Sequence, residues 1–296
     1  MFRLAHVTDP HFRGFSGARP ADFLGKRAVG AANLLLNRRR KFRMELLEDL
    51  REDLRTRNPD HLALTGDLSN VSLPAEWQAA ERWLDALGSP GEAVTVIPGN
   101  HDAYVEEVVR AGLFERQFAR YQTADLRDGE ATYPFVRLRG EVALVAVNTS
   151  VPTGDLGAWG EIGDAQLARL EALLTSPEVR RRVRVVLLHH PPVVHRPPEA
   201  RNLRDRDRLL AVLARTGADL VLHGHDHRDE QVRVPGPDGT TIPAIGAGSA
   251  SYAGGPDRRS RYNVYEIEGR RITLATVAHD ESTDTYREVR REPLAG

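Results

Sequence analysis

His61-Leu62-Ala63-Leu64-Thr65-Gly66-Asp67 decides the fold: a short strand-forming run breaks on a glycine and leaves a carboxylate at its carboxyl end. The same hand-over recurs along the chain. Phe2–Val7 runs into Asp9-Pro10-His11, and Ala93–Ile97 into Pro98-Gly99-Asn100-His101-Asp102. Val183–Leu188 runs into His189-His190-Pro191-Pro192, and Asp219–Leu222 into His223-Gly224-His225-Asp226-His227. Amphipathic stretches lie between these strands. In Lys41–Arg57, Phe42, Leu46, Leu47, Leu50 and Leu54 fall on one helical stripe, and Asn58-Pro59 stops it. Pro74–Leu87, Asp164–Leu174 and Leu203–Arg215 read the same way, and a helix is expected from Val105 to Tyr121. Strand-then-helix alternation predicts a layered α/β fold. Ligands of open α/β sheets bind at the carboxyl ends of the strands, so the polar clusters are expected to share one rim.

Outward from this repeat, Thr132–Leu138 and Val142–Asn148 read as consecutive strands turned at Arg139-Gly140. Beyond Gln231, Gln231–Val234, Thr241–Ile245, Tyr262–Ile267 and Ile272–Ala278 predict an antiparallel terminal sheet. No repeat or linker divides the chain, so a single domain over 1–296 is expected, with a basic and apolar insertion at 12–43 and a β-rich part at 229–296. The 296 residues carry a net charge of -1, against a protein built to coat nucleic acid. Cys is absent, which excludes a disulfide scaffold, a cysteine nucleophile and thiolate metal sites. No stretch reads as a secretory signal or a spanning helix, so a cytoplasmic location is expected.

The rim clusters supply carboxylates, an amide oxygen and imidazoles. Mixed N/O ligation suits Mn²⁺, Fe or Zn²⁺, and the carboxylates also admit Mg²⁺. A carboxylate bridges two cations as imidazole does not, and Asp67 is the natural bridge. The Asp-x-His and His-x-His spacings fit because alternate residues of an extended segment point the same way. Either His189 or His190 could complete the set. His6, His61, His195 and His279 read as packed or solvated, and His223 as a strand-end residue behind the cluster.

Asp9-x-His11, Gly66-Asp67, Gly99-Asn100-His101-Asp102, a late His and Gly224-His225-x-His227, in that order, resemble the signature of calcineurin-like metallophosphoesterases. The resemblance spans Leu4 to His227, about three-quarters of the chain. It implies a four-layer α/β/β/α sandwich with two mixed β-sheets and a metal site at the carboxyl ends of the strands. It implies two divalent ions, Mn²⁺ and/or Fe²⁺/Fe³⁺ before Zn²⁺ or Mg²⁺. Asp9, His11 and His227 would hold one ion, Asn100, His189 and His225 the other, with Asp67 between them. His189 is preferred to His190 because the related motif places its ligand two residues before a proline. The resemblance makes His101 the catalytic contact to the scissile phosphate, oriented by Asp102, with Asn100 and His190 also near substrate. Phosphodiesters, cyclic nucleotides such as 3′,5′-cAMP among them, are the expected substrates, cleaved by attack of a metal-bridging hydroxide. Two ions roughly 3.5–4 Å apart neutralise the phosphate charge and activate water, so the physics agrees.

Departures narrow the subtype. Asn70 stands where purple acid phosphatases carry a tyrosine ligand, and His101 where UDP-diacylglucosamine hydrolases typically carry Arg. The likeness is greatest to the bacterial class III cyclic-nucleotide phosphodiesterase-like branch, through Leu64-Thr65-Gly66-Asp67-Leu68 and His189-His190-Pro191-Pro192. Hydrolysis of a lipid-linked phosphodiester or pyrophosphate such as UDP-diacylglucosamine is the alternative; a nuclease or a metal-free scaffold ranks below it. Phe23–Lys41 is apolar and strongly basic. It reads either as a packed insertion helix with solvated arginines or as an arm making peripheral contact with lipid at the inner face of the membrane.

Overall fold

A computed structural model describes residues 1–34, 41–88, 90–154, 157–194, 199–255 and 258–295. The strands form two sheets. The first contains β1 (Phe2–Val7), β2 (His61–Thr65) and β3 (Val94–Ile97), parallel to one another. The antiparallel β11 (Arg261–Glu268), β12 (Arg271–Asp280) and β13 (Thr285–Ala295) extend it, in the order β13-β12-β11-β1-β2-β3. The second sheet runs β4-β5-β6-β7-β8-β10-β9. Its centre is the parallel set β6 (Val142–Ala146), β7 (Val183–Leu187), β8 (Leu220–His223) and β10 (Thr241–Gly246). Antiparallel β4 (Leu126–Arg127) and β5 (Phe135–Arg139) flank one side and β9 (Glu230–Pro235) the other.

Side-chain alternation along each strand separates three apolar layers. Leu4, Ala63 and Ile97 face Leu144, Val185, Leu187 and Leu222 between the sheets. Ala5, Val7, Leu62 and Leu64 face the other way, against helices α2 (Glu45–Arg57) and α3 (Pro74–Asp85). α1 (Lys26–Asn33) precedes these in the chain. Three short helices follow: α4 (Pro90–Ala93), α5 (Glu106–Arg110) and α6 (Leu113–Gln117). Val145, Val186 and Val221 pack on the outer helices α7 (Asp164–Thr175) and α9 (Arg206–Thr216), with the short α8 (Pro177–Arg180) between these in sequence. The result is the expected four-layer α/β/β/α sandwich. Full burial of a Leu or Val side chain is worth about 1.5–3 kcal/mol, and both faces of both sheets are covered.

Four expectations change. Among the described residues no separate terminal sheet forms, because β9 and β10 join the second sheet while β11–β13 extend the first. The helix expected over Val105–Tyr121 is broken at Gly112, whose φ of 59° is left-handed. The helix expected from Lys41 starts at Glu45, because Phe42 instead pairs with Tyr252 in an isolated bridge. In the insertion, α1 is anchored by a buried arginine, contrary to the reading of its arginines as solvated. Arg27 donates to the carbonyls of Val71 (3.0 Å) and Ser72 (3.2 Å) and pairs with Glu107. Leu24 and Val29 face solvent and Leu34 is buried. The rest of the basic run, 35–40, and His195 lie outside the described residues. Among the described residues, no helix is long and apolar enough to cross a membrane.

Candidate metal centre

The loops that leave β1 and β2 are zipped together: Asp9 N–H donates to the Gly66 carbonyl (3.1 Å) and His11 N–H to the Asp67 carbonyl (3.0 Å). Two glycines make the crowding possible. A Cβ on Gly99 would stand 2.2 Å from the Asp67 nitrogen, and one on Gly224 2.0 Å from Thr8 Oγ1. Asp9, His11, Asp67, His225 and His227 all adopt left-handed backbone, with φ between 48° and 71°. Such conformations in non-glycine residues carry strain, and they cluster where a side chain must be aimed.

The side chains form two groups. In the first, Asp9 Oδ1 lies 3.2 Å from His227 Nε2, and His11 Nε2 lies 3.1 Å from His227 Nε2 and 3.7 Å from Asp67 Oδ2. In the second, His189 Nε2 lies 3.4 Å from Asp67 Oδ1 and 3.2 Å from Asn100 Oδ1. His225 Nδ1 lies 2.9 Å from the same amide oxygen. The two oxygens of Asp67 are therefore divided between the groups.

The donors are oriented from behind by oxygens that only accept. The Ser69 carbonyl takes the Nδ1 proton of His11 (3.1 Å) and the Thr65 carbonyl that of His189 (2.8 Å). Each bond fixes the tautomer and turns the Nε2 lone pair into the cluster. Asp9 Oδ2 accepts from Thr8 Oγ1 and the His225 N–H, while Oδ1 is buried without a hydrogen bond. Burial works against its charge, but His227 and Thr8 hold the Asp9 carboxyl well below the usual range. Burial, with His190 and His189 close by, pushes His225 well below the usual imidazole range, so its ring is neutral. Around an ion with bonds of ~2.1 Å, neighbouring ligand atoms stand ~3.0–3.4 Å apart. An orphaned carboxylate oxygen beside mutually facing imidazole nitrogens at those separations fits divalent cations.

His101 sits at the edge of both groups. Its N–H donates to Asp67 Oδ1 (2.8 Å) and its Nδ1 to the Asn70 carbonyl (2.6 Å). Its ring stacks on Tyr104, with centroids 5.7 Å apart and planes at 9°. Asp102, expected to orient His101, is buried. It accepts from the N–H groups of Leu68, Ser69 and Gly99, from Ser69 Oγ and from Trp77 Nε1, and so ties the Asp67 loop to the Asn100 loop. His190, expected near substrate, is fully buried with both nitrogens engaged, Nδ1 by Thr149 Oγ1 (2.8 Å) and Nε2 by the Ala158 carbonyl (3.2 Å). His190 nonetheless lies in one group of possible ligands with His189 and His225, while His189 is the one whose Nε2 meets Asp67 and Asn100.

Sequence reasoning missed Asn70, Tyr104, Phe42 and Tyr252. Asn70 acts through its carbonyl, which no motif records. Phe42 meets His11 edge-on at 4.8 Å, and Tyr252 lies 6.0 Å from His227. His6 and His61 are packed, as expected, against Thr65 and Thr95.

The family model for calcineurin-like phosphoesterases matches residues 2–229. The chain belongs to this family. A Synechococcus sp. protein named "Probable cyclic nucleotide phosphodiesterase" is 29% identical over 184 residues, 60% of this chain and 61% of that relative. The chain thus spans about three-fifths of that relative's length. The glycerophosphodiester phosphodiesterase GpdQ of Enterobacter lignolyticus is 27% identical over 235 residues, 76% of this chain and 70% of the relative. A dimetal phosphatase from Danio rerio shares the fold, with a TM-score of 0.62, 14% identity, and coverage of 97% of this chain and 98% of that one.

Proposed function

We propose that this phosphoesterase-family chain hydrolyses small phosphodiesters at a centre of two divalent ions. Asp9, His11, His227 and Asp67 hold one ion, and Asn100, His189, His225 and Asp67 the other. The observation that carries this is the division of the Asp67 carboxylate, Oδ2 toward His11 and Oδ1 toward His189. The donors are nitrogen and oxygen without thiolate, which suits Mn²⁺ and Fe. When bound, the ions supply charge neutralisation at the phosphoryl oxygens and a lowered pKa for water.

The chain's own groups do the rest. The Asn70 carbonyl holds Nδ1–H of His101 and leaves Nε2 to face substrate; as the imidazolium the ring would pass its Nε2 proton to the departing alcohol and return to the neutral Nδ1–H form. The parallel Tyr104 ring keeps the imidazole from turning. Asp102 holds the two ligand loops at a fixed separation through its five donors.

The relatives are named for cyclic nucleotides and glycerophosphodiesters, both diesters of small alcohols. This supports that class over a lipid-linked pyrophosphate. A metal-reconstituted panel tests it: bis(p-nitrophenyl) phosphate, the corresponding monoester, 3′,5′-cAMP, a glycerophosphodiester and UDP-diacylglucosamine. Diesters should be hydrolysed in preference to the monoester. Turnover of UDP-diacylglucosamine alone would replace the proposal with the lipid-linked alternative.

A further inference from the structure

We infer that Asp49, His279 and Asp284 form a third cation site, away from the phosphoesterase centre, that takes a first-row divalent ion such as Zn²⁺. His279 lies on β12 and is 3% exposed. Its backbone N–H is bonded to the Ser260 carbonyl, and its ring stands edge-on to Tyr286 at 5.3 Å. Its Nε2 is buried and makes no hydrogen bond, although Asp284 Oδ1 is 3.2 Å away. The nitrogen and the carboxylate are thus close without lying along one N–H axis. They converge on a common point, as two ligands of one ion do.

Two features bring the carboxylates there. Asp284 sits in the β12–β13 turn with left-handed backbone, φ 53°. Asp49 comes from α2, and its oxygen, the Asp284 oxygen and the His279 nitrogen all lie within 4.8 Å of one another. Asp53, one turn further along α2, is committed instead to Arg57 and Tyr262. One imidazole and two carboxylates leave positions for water, an N/O set on which Zn²⁺ outcompetes Mn²⁺ and Fe²⁺. An ion here would join α2 to the last hairpin, two elements that are adjacent only in the folded chain. It would therefore act as a structural clamp.

The test compares the full chain with Asp49→Ala/Asp284→Asn, both changes at exposed positions. Each protein is equilibrated with Zn²⁺, freed of loose metal by gel filtration, and its zinc counted by elemental analysis. The double variant should hold one ion fewer than the unaltered chain, with unchanged hydrolysis of bis(p-nitrophenyl) phosphate and a lower melting temperature in zinc. Equal counts would overturn the inference. Loss of more than one ion together with hydrolysis would also overturn it, by placing these aspartates in support of the main centre. On the unaltered chain, the His279 ring resonances should shift on addition of zinc; unmoved resonances count against the site. These readouts concern one ion and one ring, so they are separate from any failure of the phosphodiesterase reading.

Discussion

The bodies of β1 and β2 and the loops that leave them both carry fully buried histidine, yet the two regions behave differently. His6 and His61, inside the strands, are fully buried and each bonds a neighbouring threonine hydroxyl at 2.8 Å. A few residues on, Asp9, His11 and Asp67 are as buried, but their backbones are left-handed and their donor atoms face one another. Each strand histidine is held at Nε2 by a threonine of the neighbouring strand, and its Nδ1 is buried away from any group of possible metal ligands among the described residues. The rim residues bring carboxylate oxygens and imidazole nitrogens to the same points. Burial and residue type do not mark a site; convergence of donors does. Left-handed backbone costs an ordinary side chain on the order of 1–2 kcal/mol, which the rim bears and the strand body avoids.

The sharpest way to break the comparison is at Asp67. In Asp67→Ala both donor groups lose their shared ligand, so elemental analysis should find neither ion at the centre and diester hydrolysis should fall to background. The metal-free variant should melt no lower than the metal-free parent, because a residue placed for ion binding contributes little to the fold without the ion. A variant that keeps both ions, or unfolds, would move Asp67 from the rim class to the strand class. His101→Ala is the next step down. Hydrolysis should drop by about 10²–10⁴, the scale for a positioned proton donor, with metal content unchanged. Loss of metal there would make His101 a ligand and remove its proposed role.

The parts of this arrangement that were legible in the sequence are those with local signals. Strands β1, β2, β3, β7 and β8 are short apolar runs, and each polar cluster follows its strand directly, so both the layered fold and the rim could be read. The central place of Asp67 was legible because it stands without an imidazole neighbour in its motif; its two oxygens lie toward His11 and His189. β13 was not legible: its Arg- and Glu-rich sequence forms an edge strand paired on one side by β12, where polar side chains cost little. The division of the terminal strands between two sheets depends on long-range pairing of β10 with β8 and β11 with β1, which no local pattern encodes. The partners of Asp102 and His190 were not legible for a related reason. Adjacency in a motif points to His101 and to substrate, whereas the hydrogen bonds to Leu68 and Ser69, and to Thr149 and Ala158, come from loops distant in sequence.

The smallest expected effect concerns the strand body and is read in stability. Burial, with Arg137 and Arg139 nearby, pushes the His61 imidazole down to about 3 from an ordinary value of 6.5. Between those values the unfolded chain binds a proton that the native chain refuses. His61 therefore contributes stability in full above pH 6.5, and that stability is lost as pH falls through the window toward 3. The slope from one such group reaches about 1.4 kcal/mol per pH unit. His61→Gln keeps an amide that can meet Thr95 Oγ1 and removes the titration. The loss of unfolding free energy between pH 6.5 and 4.5 should accordingly be shallower in this variant than in the parent, by a slope that rises toward about 1.4 kcal/mol per unit at the acid end, at equal metal content. Taking the difference between the two proteins cancels the acid sensitivity of the rim, where protons compete with ions for the same nitrogens. Parallel pH profiles would show that His61 accepts its proton in the native state, and the line between packed strand histidines and converging rim histidines would then not hold at this residue.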